Sequence, residues 1–251
     1  MNIDLNCDLG ESFGDWRMGD DAALLDIVTS ANIACGFHAG DAATMRRTCE
    51  MAVEHSVSIG AHIGFRDLVG FGRRHIDITP GDLLDETLYQ VGALAGFAHS
   101  AGSSVTYVKP HGALYHSASK SPELADAIVT AMTEFSNRLA LLGPPQSHLQ
   151  KAAEAHGVDF VAEGFADRMY TRFGTLTPRS EPGAVISDPN AATAQAIDLA
   201  SSGTVLTSDG IAIPMSVKSI CVHGDSPGAV AMANAIKAGL INSRIRVESF
   251  T

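Results

Sequence analysis

The sequence predicts an α/β fold, a (β/α) barrel of about seven parallel strands forming one domain over residues 1–251. Three observations predict it. Short apolar runs alternate with helical stretches along the chain. Several of those runs are almost continuously apolar, as strands covered on both faces are. Polar residues capable of chemistry follow many different strands, whereas an open doubly wound sheet gathers them at one switch point.

The candidate strands, in order, are 3–7, 31–35, 57–61, 104–108, 139–142, 158–162, 184–187, 204–207 and 218–222. Helices are predicted at about 20–29, 41–55, 80–99, 121–137, 146–156, 190–201 and 226–239. Several helices carry their own start signals. Asp41 stands before the second helix as an N-cap. Thr79-Pro80, Ser121-Pro122, Asp188-Pro189 and Ser226-Pro227 each put a capping residue before a proline at the first helical position. No internal repeat, low-complexity tract or linker interrupts the pattern.

With 251 residues and 45% hydrophobic content, the chain can bury a large core. Its 28 acidic and 17 basic residues give a net charge of −11. That balance, without a basic cluster, argues against nucleic acid or an anionic membrane as partner. No apolar stretch approaches the roughly 18 residues of a membrane span, and the start of the chain does not read as a signal peptide. Cys7, Cys35, Cys49 and Cys221 form no CxxC pair. They read as reduced thiols in a cytoplasmic protein. Cys35 and Cys221 read as small buried apolar residues rather than nucleophiles.

Four histidines stand where an apolar run meets a glycine-rich turn: His38, His62, His111 and His223. The first strand ends the same way with Asp8 and Glu11, and alternation turns Asn6 and Asp8 to one side. A polar pair inside a buried strand needs partners, although Asp8 also suits a cap or turn. His38 lies between Gly36 and Gly40, where backbone can approach a ligand closely. The loop from Gly60 to Arg74 is too long for a simple connection. In it, Arg73 or Arg74 suits a carboxylate or phosphate, or a surface salt bridge. Lys109 and His111 flank Pro110; a lysine at a barrel mouth needs a carboxylate or an anionic ligand. Arg168, Arg172 and Arg179 lie in a second long stretch, 163–183, that suits an anion-binding lid or a solvated loop. Asp225 suits either orientation of His223 or capping of the last helix. Asp8 and the histidines are possible metal ligands, but no HxxxH or HExxH spacing marks a site. Neither G-x-x-x-x-G-K-[ST] nor a post-strand G-x-G-x-x-G is present.

Together these segments resemble the LamB/YcsF family, which supplies the A subunit of 5-oxoprolinase. The resemblance runs from Asp4 through Glu11 to Cys221 through Asp225. It rests on the stretches Asn32 to Asp41, Gly70 to Arg74 and Val108 to Tyr115, then Phe165 to Arg168, Arg179 and Gly183 to Ile186. The chain departs at Ile63 to Asp67, where the family commonly has proline after the histidine and a Pro-Asp pair beyond. It departs again at His116, where asparagine is common. The resemblance implies a seven-stranded irregular barrel of the glycoside hydrolase/deacetylase type. It implies opening of 5-oxo-L-proline to L-glutamate coupled to hydrolysis of ATP, alongside subunits B and C. On that reading ATP is a co-substrate accompanied by a divalent ion such as Mg²⁺. Asp8, His38, His62, Lys109 and His111 are the candidate catalytic residues. Asn6, Glu11, Arg73, Arg168, Arg179 and His223 are the candidate substrate-binding residues. Asp8, His38 and His62 are the candidate ligands should the protein hold a metal itself. Two other readings compete: a stand-alone metal-dependent hydrolase or deacetylase, and a non-catalytic binding component of a larger enzyme.

Overall fold

The computed structural model describes residues 1–224 and 228–251. In chain order its elements are β1 (Asn2–Leu9), α1 (Asp21–Leu25), β2 (Ser30–Ala34), α2 (Ala42–Glu54), β3 (Ser58–Ile63), α3 (Pro80–Ser100), β4 (Val105–Pro110), α4 (Gly112–Lys120), α5 (Pro122–Phe135), β5 (Ala140–Gly143), α6 (His148–His156), β6 (Phe160–Phe165), α7 (Pro189–Ser201), β7 (Thr204–Leu206), β8 (Ala212–Pro214), β9 (Ser219–Val222), α8 (Ala229–Asn242) and β10 (Arg246–Val247). Strands β1 to β6 pair in sequence order, β6 pairs with β9, and β9 returns to β1. The result is a closed parallel barrel of seven strands, with β10 added beside the start of β1.

The helix starts follow their sequence signals. Asp41 accepts from the Thr44 amide, Thr79 from Asp82, Ser121 from Leu124 and Asp188 from Asn190 and Ala191. The proposed start at Ser226-Pro227, and Asp225, lie outside the described residues. Helix α3 packs on α5 and α7 on α8, and a continuous apolar core from Ile3 to Ile245 lies between the helical layer and the ring.

Strands β8 and β10 have no counterpart in the sequence-based expectation, and three further features differ from it. The run 184–187 is loop, touching Arg168 through a single bridge at Val185. The run 204–207 gives a short strand, but it pairs with β8 as a hairpin outside the barrel. Helix α4 begins directly after His111, where Gly112 masks the start.

The barrel interior is polar along one column. At its lower end Asp4, 1% exposed, accepts hydrogen bonds from Thr29 Oγ1 (2.7 Å), Ser30 Oγ (2.6 Å) and Ser219 Oγ. Asn6 Nδ2 donates to Ser219 Oγ (2.7 Å), and Asn32 Nδ2 donates to both Asn6 Oδ1 (2.7 Å) and Asp8 Oδ1 (2.8 Å). Tyr107 closes the layer by donating to Asn32 Oδ1 at 2.7 Å. Each buried polar group in this column thus has a partner, the condition for keeping it inside.

Burial of Asp4 outweighs its three hydroxyl donors and pushes its carboxyl up to about 6. The folded protein therefore holds this proton more tightly than the unfolded chain. The associated stability is fully present below about pH 4 and is lost as the pH rises through about 6, a change of roughly 3 kcal/mol. Asp4→Asn cannot titrate. In urea unfolding from about pH 4 to about pH 7, the wild type is expected to lose roughly that much relative to the variant. A pH-independent difference between the two would refute the assignment.

Candidate active site at the carboxyl end of the barrel

The strand ends deliver the site. In the ladders Asp8 lies opposite Asn32, Ala34 opposite His62, and His62 opposite Lys109. Residues from β1, β3, β4, β6 and β9, with those just beyond them, therefore meet above the polar column. They line a cavity of about 460 Å³ whose walls include Asp8, Glu11, His62, Arg73, Lys109, His111, Arg168, Arg179 and His223.

Lys109 is the centre of charge. Its ammonium, 2% exposed, lies 3.1 Å from Asp8 Oδ1 and 2.7 Å from Glu163 Oε1, and 3.2 Å from both Asn6 Oδ1 and Cys221 Sγ. Burial alone would lower its pKa; Asp8, Cys221 and Glu163 together overcome that and hold it well above the usual lysine range. Burial likewise pushes Asp8 up, but His62 and Lys109 pull harder and keep its carboxyl well below the usual carboxylate range. Glu163 had no place among the sequence candidates, because a charged residue after an apolar run reads as the end of a strand. Here β6 runs on through it to Phe165.

Beside the lysine stand three imidazoles. His111 stacks on His38 with ring centres 3.8 Å apart, and His62 meets both rings edge-on. His62 Nε2 is 3.0 Å from His111 Nδ1 and 3.3 Å from Asp8 Oδ2. His62 Nδ1 meets the Lys109 carbonyl at 3.1 Å, and His111 Nε2 meets the Phe71 carbonyl at 2.8 Å. Glu11 Oε1 approaches His38 Nε2 at 3.6 Å and His111 Nδ1 at 3.8 Å. Burial holds the pKa values of His38 and His111 well below the usual histidine range, aided by the neighbouring imidazoles.

The glycine-rich loop makes this crowding possible. A Cβ on Gly64 would lie 2.6 Å from His38 Nδ1, and one on Gly72 would lie 2.6 Å from His38 Cβ. Gly72 also has φ +62°, which glycine adopts at least cost. Asp67 staples the loop by accepting from the Gly70 amide (2.9 Å) and from the Arg74 guanidinium. Arg74 is thereby the structural arginine of its pair, while Arg73 lines the cavity with its guanidinium over the Phe71 ring.

Across the cavity, His223 Nδ1 lies 2.8 Å from Asp167 Oδ2, and its ring stacks on Phe165. Asp167 takes the orienting place that the sequence offered to Asp225. Arg168 is buried, donating to the carbonyls of Thr177 (2.6 Å) and Ala184 (3.2 Å); burial and the charge of Arg179 lower its pKa to about 10. Arg172 turns outward to Asp209 and does not line the cavity. Asn6 sits one layer below, fully buried, and His38, also buried, lines a second cavity that shares Glu11 with the first. Cys221 is buried, and its thiol pKa is raised well above the usual range by burial, which makes it a poor nucleophile.

The sequence profile of the LamB/YcsF family matches residues 3–251. A protein from Nocardia farcinica, named as the A subunit of 5-oxoprolinase, is 58% identical over 250 residues, covering 100% of both chains. One of the same name from Streptomyces avermitilis is 51% identical over 248 residues, covering 99% of each. Among solved structures, the lactam utilization protein from Thermus thermophilus superposes with a TM-score of 0.95 at 39% identity over 100% of both chains. A family 4 carbohydrate esterase from Streptomyces lividans shares the fold alone, with a TM-score of 0.56 at 10% identity over 100% of this chain and 93% of its own.

Proposed function

This chain belongs to the LamB/YcsF family, and from that premise we propose that it is the A subunit of a 5-oxoprolinase. With subunits B and C it opens the lactam of 5-oxo-L-proline to L-glutamate at the expense of ATP, which leaves as ADP and phosphate. The observation that carries the reading is Lys109, a buried cation between Asp8 and Glu163 at the floor of a cavity whose walls hold Arg73, Arg168 and Arg179.

A lactam resists water because its carbonyl is stabilised by resonance with nitrogen. Transfer of a phosphoryl group from ATP to the amide oxygen turns that oxygen into a leaving group. Water then adds to the carbon and the C–N bond breaks as the nitrogen takes a proton, which leaves an acyl phosphate. A second water attacks that carbonyl, and phosphate departs to give the carboxylate. In this scheme Lys109 stabilises negative charge on the lactam or phosphoryl oxygens. Asp8, which lines the cavity, takes the proton from water. His62 and His111, which line the cavity, position the lactam. Arg73, Arg168 or Arg179 holds the substrate carboxylate or the phosphate.

The test is formation of glutamate from 5-oxoproline by this chain with subunits B and C. The expected result is glutamate production that requires ATP and yields ADP in step. Glutamate formation that ignores ATP, or none from the three assembled components, would overturn the reading. In the same assay Asp8→Asn is expected to lower turnover about 100- to 10,000-fold.

A further inference from the structure

The three imidazoles present a problem of proton placement. A carbonyl oxygen only accepts, so the contacts to Lys109 O and Phe71 O make His62 Nδ1 and His111 Nε2 the N–H groups. A neutral imidazole has one N–H. The lone pairs of His62 Nε2 and His111 Nδ1 therefore point at each other across 3.0 Å. His38 joins them: it is 1% exposed, and neither ring nitrogen has a hydrogen-bond partner among the described residues. Glu11 supplies a carboxylate oxygen 3.6 and 3.8 Å from two of these rings. Convergent lone pairs and a carboxylate in a buried space call for a cation between them.

We propose that Glu11, His38, His62 and His111 form a binding site for one divalent transition-metal ion, zinc or an ion of similar size and softness. Their ligand atoms all lie within 4.8 Å of one another. Zinc ligands at about 2.0–2.1 Å in a tetrahedron stand roughly 3.3 Å apart; three of the pairs, at 3.0, 3.6 and 3.8 Å, bracket that value. Three imidazoles and one carboxylate suit zinc better than magnesium, which prefers oxygen. The backbone carbonyls behind His62 and His111 are the usual support for ligating histidines, fixing tautomer and ring orientation. The set differs from that suggested by the sequence: Glu11 and His111 join His38 and His62, while Asp8 Oδ1 is committed to Lys109 and Asn32 and its Oδ2 stands beside the group, 3.3 Å from His62 Nε2. A bound ion of this kind polarises a carbonyl oxygen or acidifies a water. The site rests on this geometry and not on the identity of the lactam substrate.

The test uses the untagged full-length chain, stripped with a chelator and titrated with Zn²⁺ by calorimetry, with metal content measured after dialysis. One zinc per chain is expected. His38→Ala and His62→Ala, each verified as folded by circular dichroism, are expected to weaken binding by more than the roughly 10- to 100-fold that loss of a supporting hydrogen bond costs. His156→Ala, at an exposed histidine paired with Asp126, is expected to bind as the wild type does. X-ray absorption of the zinc-loaded wild type gives an answer without any variant: nitrogen and oxygen neighbours with imidazole scattering are expected. Absence of binding, retention of affinity in both variants, or a sulfur neighbour at about 2.3 Å would each overturn the site, whatever the lactam assay shows.

Discussion

Lys109→Met is expected to lower ATP-dependent turnover of 5-oxoproline by about two to four powers of ten in the assembled enzyme. Methionine keeps much of the length and removes the charge. Nothing else described in the cavity floor can replace that charge, because Arg73, Arg168 and Arg179 belong to its walls. The same change leaves Asp8 and Glu163 buried near one another without their shared cation. Removing one partner of a buried ion pair costs about 3–5 kcal/mol, so the variant is also expected to melt earlier. The two effects separate in the double variant Lys109→Met, Glu163→Gln. Neutralising Glu163 is expected to recover a large part of the stability and none of the turnover. Near-normal turnover in either variant would remove Lys109 from the chemistry.

The largest purely structural effect is expected at Gly60. In the β3–β4 ladder Gly60 lies opposite Tyr107, whose ring occupies the space a Cβ on Gly60 would need. That ring has nowhere to go. It is fully buried, packs on Phe250 with centres 5.1 Å apart, and is held by its bond to Asn32. Gly60→Ala is expected to cost about 3 kcal/mol or more, at the upper end for overpacking, and to lower the melting temperature by roughly 6–12 °C. Turnover is expected to fall as well, since displacing Tyr107 disturbs Asn32 and through it Asp8. In a Tyr107→Ala background the penalty of Gly60→Ala is expected to shrink markedly, as it does for residues in direct contact. Equal penalties in both backgrounds would show that the ring is not the obstacle.

These two sites also show what is legible in the sequence. Lys109 is visible because a charged residue at the end of an apolar run is costly without a partner. Its partner Glu163 is not, because charge at a strand end reads equally well as the start of a loop. The histidines are visible individually, but their contact depends on Gly64 and Gly72 letting the loop pass close to the rings, which is a three-dimensional fact. The barrel itself follows from the alternation of apolar runs and capped helices. The differences at 184–187 and 204–207 arise because short apolar, β-branched runs also occur outside the ring, where Val185 and Leu206 are exposed. Apolar content alone does not distinguish a strand in the ring from a segment packed against it. Asp167 reads as part of an anion lid because its pairing with His223 joins positions 56 residues apart in sequence.

The return of β9 and β10 to β1 bears on how the molecule is made. Leu5 pairs with Ile220 and Asn2 with Arg246, so the first strand waits for partners that leave the ribosome more than two hundred residues later. Until then β1 offers one open edge and the polar column lacks Ser219. Such long-range closure slows folding, and exposed edges of this kind invite association between incomplete chains. Synthesis is thus the stage at which this barrel depends most on protection from its neighbours.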